Sequence, residues 1–236
     1  MPGLISAFTA PPRAYLIRAA ALTAALALAP CMSAQAARVT ALSGLVQIFR
    51  GDRLLPAVVG SRLRVGDEFV SEGDAEALVR FDDGARLALR PDSRLQVTAL
   101  KLKGPAAAQQ KTINILKGGL RYISGKSTVK SQVAFTTSTA TIGIRGTDIE
   151  IAVSEDAVSN DPAGTYLKVN TGVATMEASD GTQVEVDAGQ IAFGGLPEVV
   201  PRGPGGTRRP AARKVEAAIG AVGGLFKTGA LDRLLK

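Results

Sequence analysis

The chain has 236 residues, a formal net charge of +7, no histidine, no tryptophan and one cysteine. Without histidine it lacks the commonest general base and the commonest metal ligand, and Cys31 falls in an N-terminal targeting stretch, so no thiol, disulfide, metal or cofactor chemistry is expected of the mature protein. The charge sits at the ends: residues 37–196 hold 18 basic and 18 acidic residues and residues 197–236 hold 8 and 3, so the main body has no basic face and no nucleic-acid partner is expected. With aromatics at 4%, the core must be built from Val, Ile, Leu and Ala, a composition that suits thin layers of strand.

Residues 1–36 read as a signal peptide. Arg13 and Arg18 precede an apolar run from Ala19 to Ala29 that is too short to span a bilayer, and Ala34-Gln35-Ala36 is a small-x-small cleavage site. Leu28-Ala29-Pro30-Cys31 has the outline of a lipoprotein box, with Pro30 a poor fit before the cysteine. Cleavage after Ala36 leaves a periplasmic or secreted chain with no integral membrane span.

From Val39 the text is β. Gly44 to Ile48 is a short strand, Arg50-Gly51-Asp52-Arg53 a turn, and Val65-Gly66-Asp67-Glu68-Phe69 a turn feeding the next strand. Ala77, Val79 and Phe81 line one face of a strand whose partner carries Leu87 and Leu89. Asp82-Asp83-Gly84-Ala85 between them reads as a two-residue Asp-Gly hairpin turn. Leu95 and Val97 mark a further strand. Thr112 to Leu116 and Leu120 to Ile123 read as two strands around Lys117-Gly118-Gly119. Thr165 to Val169 and Gly172 to Met176 read as two more, joined by Asn170-Thr171. Ser179-Asp180-Gly181-Thr182 is a second hairpin turn.

The stretch from Phe135 to Val153 is the most patterned. Ala140, Ile142 and Ile144 alternate with small or polar residues, and so do Thr147, Ile149, Ile151 and Val153. Gly146 lies between the two halves, where a bulge or sharp bend would need a residue without Cβ. Arg145 is the one large charge there, and pairing with a nearby carboxylate is the expected role, contact with a partner or anion the alternative.

This stretch resembles the signature of the FecR-domain family: a threonine-rich or apolar strand, Arg145-Gly146-Thr147, an acidic residue (Asp148) and a hydrophobic strand, with Ile149 where the family often has an aromatic residue. The order of the other pieces over about residues 39–193 is similar too: Gly-Asp, an Asp-Gly hairpin, Leu-x-Leu then Pro, Lys-Gly-Gly-Leu, a Gly-Val strand and Ala-Gly-Gln. The resemblance implies that Arg145, Gly146, Thr147 and Asp148 are signature positions, structural or in contact with a partner. In the best-understood members it implies a periplasmic segment that relays an outer-membrane signal through an inner-membrane anti-sigma regulator. The exported N-terminus departs from that plan and points to a stand-alone module.

Residues 197–212 are a Pro/Gly-rich linker, and residues 213–236 a basic tail with apolar positions at helical spacing interrupted by four glycines. It reads as a marginal amphipathic helix or an unordered tail, able to touch an anionic membrane or wall polymer. The expected fold is therefore all-β, short stacked hairpins forming a solenoid-like roll or sandwich, over residues 37–196. The expected function is binding or signalling toward an envelope protein or polymer, without catalysis. The alternatives are a carboxylate-dependent enzyme acting on envelope glycans, in which distant acids such as Asp67 and Asp187 meet in space, and a structural envelope protein tethered by its tail.

Overall fold

Among the described residues the period-two alternation becomes fifteen strands. In the computed structural model the described residues are 37–102, 105–125, 132–157, 161–196, 210–216 and 229–235. The expected signal peptide, Cys31 and nearly all of the expected linker lie outside them. The strands are β1 (Ala37–Ser43), β2 (Val46–Arg50), β3 (Arg53–Pro56), β4 (Arg62–Leu63), β5 (Glu68–Ser71), β6 (Glu76–Phe81), β7 (Arg86–Leu89) and β8 (Arg94–Lys101). They continue as β9 (Gln110–Ile123), β10 (Gln132–Thr136), β11 (Ala140–Ser154), β12 (Gly164–Ala178), β13 (Gln183–Asp187), β14 (Ile191–Gly194) and β15 (Ala212–Val215). Ala106–Ala108 and Asp232–Leu235 are short 3-10 turns.

All fifteen strands join one continuous sheet, and three long ones, β9, β11 and β12, give it its shape. Each contains a glycine of positive φ, Gly118, Gly146 and Gly172, and each changes neighbours there. β9 pairs with β8 and β10 before Gly118, and with β7 and β11 from Gly118 on. β11 pairs with β10 before Gly146 and with β9 after it. β12 pairs with β14 before Gly172 and with β13 after it. The sheet thus forks into two wings that share three strands. The first wing carries β4, β1, β6, β7, β14 and β15, and the second carries β3, β2, β5, β8, β10 and β13.

Both wings contribute to one apolar core. Tyr122 of the first wing meets Phe135 of the second edge-on, with ring centroids 5.1 Å apart. The fold is all-β as expected, but long bent strands replace many of the short stacked hairpins. The two strands expected around Gly118 are the single strand β9, and those expected around Asn170-Thr171 are β12. A lone glycine with positive φ bends a strand without reversing it, and sequence punctuation reads both events alike.

The Asp-Gly hairpin is present with a different loop. Phe81 N–H donates to the Ala85 carbonyl and Gly84 N–H to the Phe81 carbonyl, which encloses Asp82, Asp83 and Gly84. Only Gly84 has a positive φ, so the loop is of the longer type that ends in a glycine bulge, not a two-residue turn. At the C-terminus, residues expected to begin a helical tail form β15, which pairs with β14 and covers its edge. The linker–tail boundary expected after residue 212 therefore falls inside a strand.

β11 and β12 fit together through paired irregularities. Gly146 and Thr147 stand opposite Gly172 alone, and Asn170 is the compensating extra residue on β12. A Cβ on Gly172 would lie 2.8 Å from both the Gly146 carbonyl oxygen and Thr147 Cγ2, whereas one on Gly146 would meet nothing within 4 Å. Gly146→Ala should therefore cost about 1 kcal/mol, the backbone penalty alone. Gly172→Ala carries a steric term as well and should cost about 2–4 kcal/mol. Urea unfolding of the two variants side by side checks the order.

Candidate functional site

The bulge at Gly146 sets which signature side chains face the core. Before it the even-numbered Ala140 and Ile142 are buried; after it the odd-numbered Thr147, Ile149, Ile151 and Val153 are. One inserted residue shifts a period-two pattern by one step, so the same face stays apolar through the bend. Thr147 is fixed by Ser124: its N–H donates to Ser124 Oγ at 3.0 Å, and Ser124 N–H donates to its carbonyl at 2.9 Å.

Asp148 and Arg145 have opposite fates. Arg121 Nε and Nη2 donate to the two Asp148 oxygens at 3.0 and 2.7 Å, a two-pronged pair, and Asn170 Nδ2 donates to Asp148 Oδ1 at 3.3 Å. Arg145 is exposed and has no carboxylate partner among the described residues. The pairing expected for Arg145 is not found. Arg145 precedes the bulge, in the row with Thr141 and Gly143 that faces away from the core, and Arg121, which lies across from Glu150 on the adjoining strand, neutralises Asp148 in its place.

Arg145 stands at the rim of an open groove of about 990 Å³ on the outer face of the second wing. Ala134, Gly143, Thr175 and Glu185 lie side by side across β10, β11, β12 and β13, and Arg145, Val173 and Asp187 form the neighbouring row. A Cβ on Gly143 would touch nothing within 4 Å, so the floor is low at that point. Val173 is exposed beside it. Small and apolar residues under a guanidinium that has no ion pair among the described residues can hold an extended chain that presents an anionic group.

The acids considered for a catalytic pair each have a basic neighbour. Asp67 accepts from Arg50 Nε and Nη2 at 2.7 Å each and from Arg64 N–H at 2.8 Å, while Asp187 is exposed beside Lys214 at 3.4 Å. Each acid considered for a catalytic pair is thus engaged by a cation of its own. On the first wing Arg121 also approaches Asp232 at 3.6 Å. The Asp148 hydrogen bonds, with Asp232 and Glu150 nearby, raise the Arg121 pKa further.

Lys111 is a buried cation that the sequence pattern does not reveal. It is 1% exposed, and Nζ donates to Asp83 Oδ2 at 3.0 Å and to Tyr122 OH at 2.7 Å, 4.0 Å from the centroid of Phe81. Burial lowers its pKa to about 8 against the opposing pull of Asp83, and burial, then Asp83, pushes Tyr122 well above 10. An amine of lowered pKa is a nucleophile only where substrate can reach it, and this one ties the Asp83 loop of the first wing to β9 in the second. The one signal for it is position: Lys111 precedes the apolar alternation Ile113-Ile115 in phase with it.

The family model described as FecR protein matches residues 67–160, from the turn before β5 to the loop after β11. Two crystal structures of a candidate anti-sigma factor from Parabacteroides distasonis are similar at 11% identity, with TM-scores of 0.42 and 0.43; each alignment covers 62% of this chain and 59% of that one. The chain thus spans about three fifths of the length of those structures' chain. No curated protein matches.

Two outcomes follow from the charge geometry. Arg121→Ala leaves Asp148 without its cation in partly buried surroundings, and thermal or urea unfolding should show a loss of about 2 kcal/mol. Between about pH 8 and pH 10 folded Lys111 has lost its proton while the unfolded lysine keeps one. Stability should therefore rise with pH in that window, by about 2 kcal/mol, until ionisation of unfolded Tyr122 near pH 10 opposes it. Urea midpoints measured across the window should show the rise in the wild type and lose it in Lys111→Met.

Proposed function

We propose, from the FecR domain at residues 67–160, that the chain is a signalling module that works by binding, exported to the periplasm, and that the groove beside Arg145 is its contact surface. One observation carries the reading. Within four consecutive signature residues, Thr147 and Asp148 are tied into the fold while Arg145 is held out on the surface with no partner among the described residues. An arginine that stabilises nothing within the fold is free to be used by what binds it. The surrounding Gly143, Ala134 and Val173 suit an extended segment, and Arg145 suits a carboxylate or other anion on that segment. An acidic envelope protein or polymer has that chemistry. The export signal at residues 1–36 supports a periplasmic site of action.

Arg145→Ala should leave the unfolding free energy within about 0.5 kcal/mol of wild type, because no internal contact is removed. Capture of the partner from an envelope extract on immobilised protein should fall at least tenfold. A variant of unchanged stability that captures the same partner at wild-type yield would contradict the assignment of the groove.

A further inference from the structure

The outer face of the first wing is covered in one place by chain that is not part of the sheet. Leu231 and Leu235 pack on Leu78 of β6 and Ala88 of β7, with Ala41 and Ile123 alongside. Between the two leucines Asp232 meets Arg90, whose Nη1 and Nη2 donate to its two oxygens at 2.9 and 3.0 Å. Leu231 N–H donates to Glu76 Oε2 at 3.0 Å. Arg90, Glu76 and Asp232 are all buried at this contact, Arg90 to 3% exposure. Gly229 has no room for a Cβ, which would run into the Glu76 carboxylate and the Arg90 guanidinium.

These contacts amount to three separate recognitions. A guanidinium reads a carboxylate, a carboxylate reads a main-chain N–H, and an apolar patch reads two leucines. Glu76 is the telling member. It sits beside the Arg90 guanidinium, both within reach of a Cβ placed on Gly229, yet among the described residues the one hydrogen bond its side chain makes is the one it accepts from the Leu231 N–H. The surface also extends beyond its present occupant. A cavity of about 450 Å³ continues past Leu234, lined by Thr40, Arg80, Gly84 and Arg86.

We infer that this face is a peptide-recognition site, that residues 229–235 are its ligand within the chain, and that the partner it admits is a peptide of the same chemistry: an aspartate with a leucine directly before it and another three residues after it. A ligand attached to its own site competes at high effective concentration, so an outside peptide enters when the internal one is weakened or outmatched. The site lies on the first wing and is independent of the Arg145 groove.

The test uses the full chain and a fluorescent peptide spanning residues 229–236, followed by anisotropy. Asp232→Ala removes the internal carboxylate and leaves Arg90 for the peptide. The double variant Leu231→Ala, Leu235→Ala loosens the internal segment while Asp232 stays on Arg90, and it decides the matter if Asp232→Ala does not fold. Either folded variant should bind the peptide at least tenfold more tightly than wild type does. The same peptide carrying Asp232→Asn should bind the variants at least tenfold more weakly. Variants that bind no better than wild type, or an asparagine peptide that binds as well as the aspartate peptide, would overturn the inference.

Discussion

β11 crosses from one wing of the sheet to the other by taking in one extra residue beside Gly146, and the remaining architecture follows from how that residue is accommodated. Side chains on a strand alternate strictly, so a bend that left the phase unchanged would turn Ile149, Ile151 and Val153 toward solvent. The bulge reverses the phase where the strand bends, and the apolar face stays on the core. Gly172 must then be bare, because the Gly146 carbonyl and Thr147 occupy the space a side chain would need. Arg145 faces outward in the phase that holds before the bend, and the bulge turns Thr147 inward two residues later. The signature is therefore first a solution to a geometric problem, and its exposed arginine is what that solution leaves at the surface.

The charges inside the sheet have a different standing. Lys111 with Asp83, and Arg90 with Asp232 and Glu150, are removed from water at a cost that their mutual attraction only partly offsets. An apolar replacement of similar shape could make a sheet at least as stable. What these pairs supply is position. Lys111 ties the Asp83 loop to the facing wing, and Arg90 fixes a C-terminal segment to the outer face at one register. Placement of that kind matters for a protein whose surfaces are its working parts.

The all-β character, a bulge or bend at Gly146 and the hairpin near Asp83 were all legible in the sequence, because each is a local pattern of two-residue alternation or a glycine beside one. Three features were not. Lys117-Gly118-Gly119 and Asn170-Thr171 read as breaks between strands, since a bend within a strand and a reversal between strands use the same residue types and only the pairing partners tell them apart. Arg145 was expected to neutralise a carboxylate, yet Arg121 does so from a strand 27 residues away in sequence, a contact that no local spacing announces. The C-terminal residues read as a marginal amphipathic helix or an unordered tail, because their apolar positions recur at helical intervals broken by glycines; residues 217–228 lie outside the described ones. Ala212–Val215 instead found the open edge of β14, and the leucines near Asp232 found the outer face of β6 and β7. In each case a distant partner decided the outcome.

Three bent strands make the two wings one cooperative body. The direct check is native-state amide exchange on residues 37–236, followed as a function of low urea. Protected amides on both sides of Gly118, Gly146 and Gly172 should converge on a single opening free energy, because no wing can unfold without fraying strands that the other needs. Two distinct opening energies, divided at those glycines, would contradict it and would show the wings to be separate units joined by linkers.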